Sequence, residues 1–302
     1  MKSFDNKVAV ITGAASGLGR ELAIAGAGLG LQLVLADVQI DALHSLKAEL
    51  SEKGAQVIIQ RCDVSNPDDV KALADAAIDK FGVVNLLFNN AGVATGGFIW
   101  ENSLADWEWV LGVNLWGVIH GIHTFTPLML EFARRDNNYE GHIINTASVA
   151  GFLNSPTMGI YNVSKHAVVS ISESLFHDLQ LIKKAVSCSV LCPFFLPTAI
   201  GQSEQHRPQE LVNASDSTIS QRLSRLLTDK ALDAASTTPK RVAMLTFEAI
   251  RQNRFYIYSD LTPMPDVKTR MEDILQERNP SDPYARDPML RKIIETKLRR
   301  AL

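Results

Sequence analysis

Val8-Ala9-Val10-Ile11-Thr12-Gly13-Ala14-Ala15-Ser16-Gly17-Leu18-Gly19 decides the fold of the chain. Val8–Thr12 is a short β-branched run, the signature of a buried strand. It ends directly on Gly13, and a helical pattern follows from Arg20 to Leu29. Glycines at such a junction allow a tight turn and let a pyrophosphate approach the backbone. The helix N-terminus then offers free N–H groups and a partial positive charge. A glycine-rich turn alone can be merely structural. Between a strand and a helix it points to dinucleotide binding.

Working outward, the same alternation recurs. Leu31–Ala36, Val57–Gln60, Leu86–Asn89, His142–Thr146 and Val186–Leu191 are further apolar runs. Helical patterns separate them: Asp41 to Lys53, Asn66-capped Pro67 to Phe81 closed by Gly82, Leu104 to about Arg134, and Ile160 to Lys183. Continuous apolar strands alternating with helices predict an α/β fold, a doubly wound parallel Rossmann-type sheet covered on both faces. Ligands of such sheets bind beyond the carboxyl ends of the strands. After Pro193 the pattern weakens. Residues 194–238 are read as a substrate-side lobe, Lys240–Arg251 as a helix and Phe255–Tyr258 as a last strand. Residues 1–261 then form one catalytic domain. Residues 262–302 form a helical C-terminal extension, packed on the domain or on a partner subunit.

The bulk numbers set limits. The 302 residues are 46% hydrophobic and 21% charged, enough for a substantial core. A net charge of −3 argues against a nucleic-acid partner. The basic stretch Leu290–Leu302 reads as a solvated or subunit-facing helix more readily than as a polyanion site. Cys62, Cys188 and Cys192 are too few and too scattered for a disulfide framework, and no metal site is expected. Met1–Lys7 lacks the apolar core of a secretory signal, and no run approaches the about 18 apolar residues that span a membrane. The expected location is the cytoplasm, with no membrane partner.

Several polar residues stand at strand ends. Asp37 closes the second strand, 24 positions past Gly13. A carboxylate there accepts hydrogen bonds from an adenosine ribose and repels a 2′-phosphate. No Arg or Lys follows it, and Ser16 occupies a place where a basic residue could have served NADP. This favours NAD, although a solvated strand-end Asp is the bland alternative. Asp63, followed by Val64, can accept from an adenine amino group or simply cap a turn. Asn89-Asn90-Ala91-Gly92 follows the fourth strand with small residues that permit close packing on a cofactor.

Tyr161 and Lys165 lie four apart on a helix and share a face. A nearby ammonium is expected to lower the phenol pKa and fit Tyr161 for proton exchange with an alcohol or carbonyl oxygen. Ser148 follows the fifth strand and can bond the same oxygen. Phe98, Trp100, Phe152, Leu153, Phe194 and Phe195 are expected near the mouth of the pocket, with core or subunit contacts as the alternative for each.

With these pieces the chain resembles the short-chain dehydrogenase/reductase family. The motifs run in order: Thr12–Gly19, Asn89–Gly92, Asn114 within Val113-Asn114-Leu115, Ser148 within Asn145-Thr146-Ala147-Ser148, and Tyr161-Asn162-Val163-Ser164-Lys165. The resemblance implies Tyr161 as acid/base and Lys165 as the holder of the nicotinamide ribose. It also implies Ser148 as polariser of the substrate oxygen and Asn114 as support for a proton relay. Gly13, Ser16, Gly17, Leu18, Gly19, Asp37, Asp63, Val64, Asn90, Ala91, Gly92, Pro193 and Thr198 would contact the cofactor. Pro193-Phe194 departs from the family's usual Pro-Gly. The implied activity is hydride transfer between NAD and a secondary alcohol or ketone, apolar or aromatic, in a homodimer or homotetramer. An NADP-linked carbonyl reductase and a catalytically silent nucleotide-binding protein are the alternatives.

Overall fold

The computed structural model describes residues 1–183 and 185–299. The last three positions of the C-terminal extension therefore lie outside the described residues. Seven strands form one parallel sheet: β1 (Val8–Thr12), β2 (Gln32–Asp37), β3 (Val57–Arg61), β4 (Leu86–Asn89), β5 (Gly141–Thr146), β6 (Val186–Cys192) and β7 (Tyr256–Tyr258). Their order is β3-β2-β1-β4-β5-β6-β7. The direction of winding reverses between β1 and β4, which opens a crevice at their carboxyl ends.

The helices are α1 (Gly17–Gly28), α2 (Ile40–Glu52), α3 (Pro67–Phe81), α4 (Leu104–Leu111), α5 (Gly117–Arg135), α6 (Gly159–Ile182), α7 (Ile219–Asp233), α8 (Pro239–Arg251), α9 (Met264–Leu275) and α10 (Pro288–Arg299). The local chemistry behind them is explicit in α3. Asn66 accepts from the Asp68 N–H, Pro67 takes the first turn, and Gly82 closes the helix at φ 74°. Leu104–Arg134 is not one regular helix as expected. A five-residue π-helical turn, Gly112–Trp116, separates α4 from α5. Such turns displace side chains from the regular helical face, and this one carries Asn114.

Both faces of the sheet are covered. On one side α1, α2 and α8 pack over it, and Phe247 meets Phe4 at 5.1 Å and Phe88 at 5.6 Å in edge-to-face contacts. On the other, Phe125, Met129, Leu175 and Leu179 bring α5 and α6 onto the sheet with the α3 residues Val70, Leu73 and Ala77. Burying each such side chain contributes roughly 1.5–3 kcal/mol. The sheet centre also holds a polar pin. Asn89 Nδ2 donates to Asn145 Oδ1 at 2.9 Å, and Asn145 Nδ2 donates to Ser172 Oγ at 3.0 Å. These buried amides tie β4 and β5 to α6.

Residues 194–238, read from the sequence as a substrate-side lobe, hold 3-10 turns at Ala199–His206 and Gln209–Leu211, then α7. In the extension, Val267 of α9 packs on the cluster of Phe152, Val168 and Val190, and α10 lies against α7 with Ile294 buried.

Candidate active site

A cavity of about 890 Å³ occupies the crevice at the strand ends. Gly13, Ser16, Gly17, Leu18 and Gly19 form one end of it, with Asp37, Asp63 and Val64 beside them. Asn90, Ala91, Gly92, Pro193 and Thr198 line its middle, and Ser148, Tyr161 and Lys165 its far end. Of the residues singled out in the sequence as cofactor contacts or catalytic groups, Asn114 alone does not line it.

The glycine turn is sterically required. A Cβ on Gly19 would sit 2.0 Å from the Gly13 carbonyl oxygen, and one on Gly13 2.8 Å from Ala91 Cα. Gly13 and Gly17 also hold φ 65° and 50°, the left-handed region that glycine tolerates. Asn90 Nδ2 donates to the Thr12 carbonyl at 3.0 Å, so the loop after β4 is fastened to the turn. Ser16 precedes α1 without capping it by its side chain, leaving first-turn N–H groups directed at the cavity end. Asp37 Oδ2 accepts from the Ala15 N–H and Oδ1 from the Gln39 N–H, both at 3.0 Å. The carboxylate is thus held at the rim by the glycine turn itself. These residues fit a dinucleotide: close backbone approach, a helix N-terminus for a pyrophosphate and an oriented carboxylate for a ribose.

Asp63 Oδ1 accepts from the N–H and the hydroxyl of Ser65, at 2.9 and 2.7 Å. It caps a turn while also lining the cavity. His120 Nδ1 is 2.9 Å from the Val64 carbonyl oxygen, and Trp116 packs 5.7 Å from the His120 ring. Both line the cavity, and sequence reading missed both.

At the far end, Lys165 is buried and its Nζ donates to the Thr146 carbonyl oxygen at 3.0 Å. The Nζ lies 5.6 Å from the Tyr161 ring centroid. Burial lowers Lys165 to about 8, against a smaller opposing influence of the Cys192 thiol. Burial raises Tyr161 to about 12, and the Ser148 hydroxyl opposes it. Tyr161 lines the cavity and is half-buried. Desolvation thus moves the phenol upward in the chain by itself, opposite to the direction expected from the sequence. Ser148 Oγ accepts from the Ala150 N–H at 3.1 Å and donates to the Pro193 carbonyl at 3.2 Å.

Asn114 stands behind this group. Its Oδ1 accepts from the Val93 N–H at 2.8 Å, and its Nδ2 donates to the Val93 carbonyl at 2.9 Å and to Ser164 Oγ at 3.1 Å. A Cβ on Gly92 would lie 3.5 Å from Asn114 Oδ1 and 3.6 Å from Lys165 Nζ, so the two residues flank one small space.

The aromatic residues expected at the mouth divide. Leu153, Phe194 and Phe195 do line the cavity. Phe152 instead turns into the core beside Tyr258, ring centroids 6.0 Å apart. Phe98 stacks on Trp100 at 4.7 Å, and neither reaches the cavity. Their places in the wall are taken by Trp107, Trp109, Leu111, Met158, Leu211 and Leu232. Two of these come from the lobe, which no local pattern in the sequence could bring to α4. Among the described residues no group of three or more His, Cys, Asp or Glu could hold a metal, and no helix is long and apolar enough to cross a membrane.

Comparison with known proteins agrees with this geometry. The short chain dehydrogenase family model matches residues 7–209, and the chain belongs to that family. A short chain dehydrogenase/reductase from Burkholderia phymatum, solved in complex with NAD, is 52% identical with a TM-score of 0.91, covering 94% of this chain and 99% of that one. A CLA biosynthesis dehydrogenase/reductase of Lactiplantibacillus plantarum is 32% identical over 93% of this chain and 97% of its own length. A 1-deoxy-11-beta-hydroxypentalenate dehydrogenase of Streptomyces exfoliatus is 35% identical over 88% of this chain and 86% of its own. The protein is therefore an oxidoreductase of the short-chain dehydrogenase type.

Proposed function

We propose that the protein transfers hydride between NAD and a bulky, uncharged secondary alcohol or ketone. The observation that carries this reading is the shared cavity. Its inner end presents Ser148, Tyr161 and Lys165, while the remaining wall is rich in apolar side chains from α4 and the lobe. Among the described residues Lys165 is the one lysine or arginine that lines it, which disfavours an anionic substrate. A bound nicotinamide cofactor supplies the hydride acceptor or donor. Tyr161 Oη takes the proton of the alcohol oxygen on oxidation and returns it on reduction, and Ser148 Oγ donates to that oxygen. Lys165 orients the nicotinamide ribose and, when charged, favours the phenolate. Asn114 fixes the Val93 backbone beside Lys165 and so supports a proton relay without itself changing protonation.

Asp37 selects NAD, because a 2′-phosphate would meet a carboxylate already fixed by two backbone N–H groups. The 52% identical structure holding NAD supports the same choice. Free Cys62, Cys188 and Cys192 suit a reducing compartment, here read as the cytoplasm. Exposed Val163, Leu181 and Ile182 leave apolar side chains of α6 uncovered, which supports a homo-oligomer. The test is an absorbance screen at about 340 nm over secondary alcohols and ketones with both cofactors. Turnover of bulky neutral alcohols with NAD is expected. Activity only on anionic substrates, or with NADP alone, would overturn the reading.

A further inference from the structure

We propose that Arg207 is a positioning residue for the substrate, latching the 199–233 lobe onto α4 and holding Trp109 in the cavity wall. This rests on the oxidoreductase reading above.

The latch is a buried ion pair. Arg207 Nη2 lies 2.7 Å from Asp106 Oδ1, and the two side chains are 3% and 1% exposed. Arg207 comes from the lobe, just after its first 3-10 turn. Asp106 comes from the first turn of α4. Asp106 Oδ1 also accepts from Asn213 Nδ2 of the lobe at 2.9 Å, and its Oδ2 accepts from the Ser103 N–H at 2.8 Å. Ser103 Oγ accepts from the Asp106 N–H at 3.1 Å and donates to Asn213 Oδ1 at 2.6 Å. The residues that cap α4 are thus the ones that grip the lobe. Burial alone would raise the Asp106 carboxyl, but the bonds from Asn213, Ser103 and Arg207 together hold it below its ordinary value.

The same guanidinium lies 5.0 Å over the Trp109 ring. Trp109 is buried, lines the cavity, and packs in one cluster with Ile160, the residue before Tyr161. A physical chain therefore runs from the lobe through Arg207 and Trp109 to the helix turn that carries Tyr161. Glu101 supplies a second tether, accepting from the hydroxyls of Thr218 and Ser220, and Ser220 Oγ in turn accepts from the Phe98 N–H at 2.9 Å. That tether lies at the start of α7, away from Trp109.

A buried pair behaves unlike the exposed ion pairs of this surface. Arg207 Nη1 also bonds Glu204 at 3.4 Å, on the half-exposed side of the pair. Removing Arg207 alone strands the buried Asp106 charge, whereas removing Asp106 with it leaves only the better-solvated Glu204 unpaired. Separation of lobe from α4 returns both charges to water, so the contact is suited to a closed and an open arrangement. In the closed arrangement Leu211 packs on the Trp109–Ile160 cluster and Leu232 lines the same cavity.

The test uses the full chain with NAD and two probe alcohols, 1-phenylethanol and the larger 1-(2-naphthyl)ethanol. Arg207→Met should raise KM for the larger alcohol by about tenfold and change kcat and the Kd for NAD by no more than about twofold. Subtilisin cleavage between residues 199 and 218 should accelerate by about tenfold. Arg207→Lys should recover part of the KM, and Asp106→Asn combined with Arg207→Met should be cleaved more slowly than Arg207→Met alone. Unchanged KM and cleavage in Arg207→Met overturn the proposal. So does a fall in melting temperature with KM unaltered in Arg207→Lys and Asp106→Asn, which shows a purely structural pair. If the parent oxidises neither alcohol, the substrate reading fails, while the cleavage rates still decide whether the latch exists.

Discussion

Lys165 reaches from α6 to the end of β5 and donates its Nζ proton to the Thr146 carbonyl oxygen at 3.0 Å, fully inside the protein. That contact fixes the ammonium within reach of Tyr161, and burial lowers its pKa from 10.5 to about 8. The folded chain thus binds this proton less tightly than the unfolded chain does. Below pH 8 both states are protonated and the buried charge is a constant cost. Between 8 and 10.5 the unfolded state holds more protons, so stability from this group rises with pH. Lys165→Met should therefore stabilise the cofactor-free protein. The gain is roughly 3 kcal/mol from the relieved charge, reduced by about 1 kcal/mol for the hydrogen bond lost at Thr146. Urea unfolding at about pH 7 and about pH 10 checks both size and sign. A variant less stable than the parent at the lower pH, or a gain equal at both, contradicts this account.

Tyr161→Phe removes only the hydroxyl. Its ring keeps its place beneath Lys165 Nζ, so fold and NAD affinity should be preserved. Turnover should fall by roughly 10²-fold or more, because the group assigned to exchange the proton is gone and the Ser148 hydroxyl is a far weaker acid and base. Steady-state rates with NAD and a secondary alcohol measure this, and near-parental turnover would remove Tyr161 from its assigned role.

Asp37 does two things, and its substitution should show both. Asp37→Ala loses the repulsion toward a 2′-phosphate and also the bond that fixes the Ala15 N–H. Calorimetry should then find NAD binding weakened by about tenfold and the preference over NADP narrowed, since each lost hydrogen bond to a charged group is worth about 1.5–3 kcal/mol. Equal dissociation constants for NAD and NADP in the parent would show that Asp37 does not select.

Gly19→Ala is a steric test of the same turn. The added Cβ would fall 2.0 Å from the Gly13 carbonyl oxygen and 2.7 Å from Asn90 Nδ2. The turn must open, at a cost of about 1–3 kcal/mol, and carry the Ser16 end of α1 away from its place. A lower melting temperature and NAD affinity reduced beyond detection are expected. Parental values for both would mean that the turn is looser than its geometry.

How much of this was legible in the sequence depended on the range of the interaction. Val8–Thr12 and Leu86–Asn89 coincide with β1 and β4 because strands buried on both faces are continuous apolar runs. Asn66, Pro67 and Gly82 mark the ends of α3 because caps act within one turn. The glycine turn and the Tyr161–Lys165 spacing are local in the same sense. The π-helical turn at Gly112–Trp116 has no such mark, so Leu104–Arg134 reads as one helix. Phe152 and Leu153 are neighbours with opposite fates, one in the core and one at the cavity. Only the packing of Tyr258 from β7 decides between them. Arg207 and Asp106 are 101 positions apart, and nothing near either residue announces the other.

The extension gives the last prediction. β7 is the edge strand of the sheet, and α9 follows it at once, with Val267 packed on the cluster of Phe152, Val168 and Val190. An edge strand can pair with the same edge of another subunit, and a folded segment beside it obstructs that approach. The intact chain is therefore expected to be a dimer. α10 rests on α7, the helix that supplies Leu232 to the cavity, and buries Ile294 there. Met271, Ile274, Leu275, Met289 and Ile293 remain exposed on the same extension, a concentration of apolar surface that favours a subunit contact. Truncation after Leu261 should uncover the Phe152 cluster, free the edge of β7 and loosen α7. The truncated chain should melt at least about 4 °C lower. It should also scatter light as a larger assembly. An intact protein with a tetramer's mass, or a truncated one with unaltered mass and melting temperature, would show that the extension neither covers the edge nor supports the lobe.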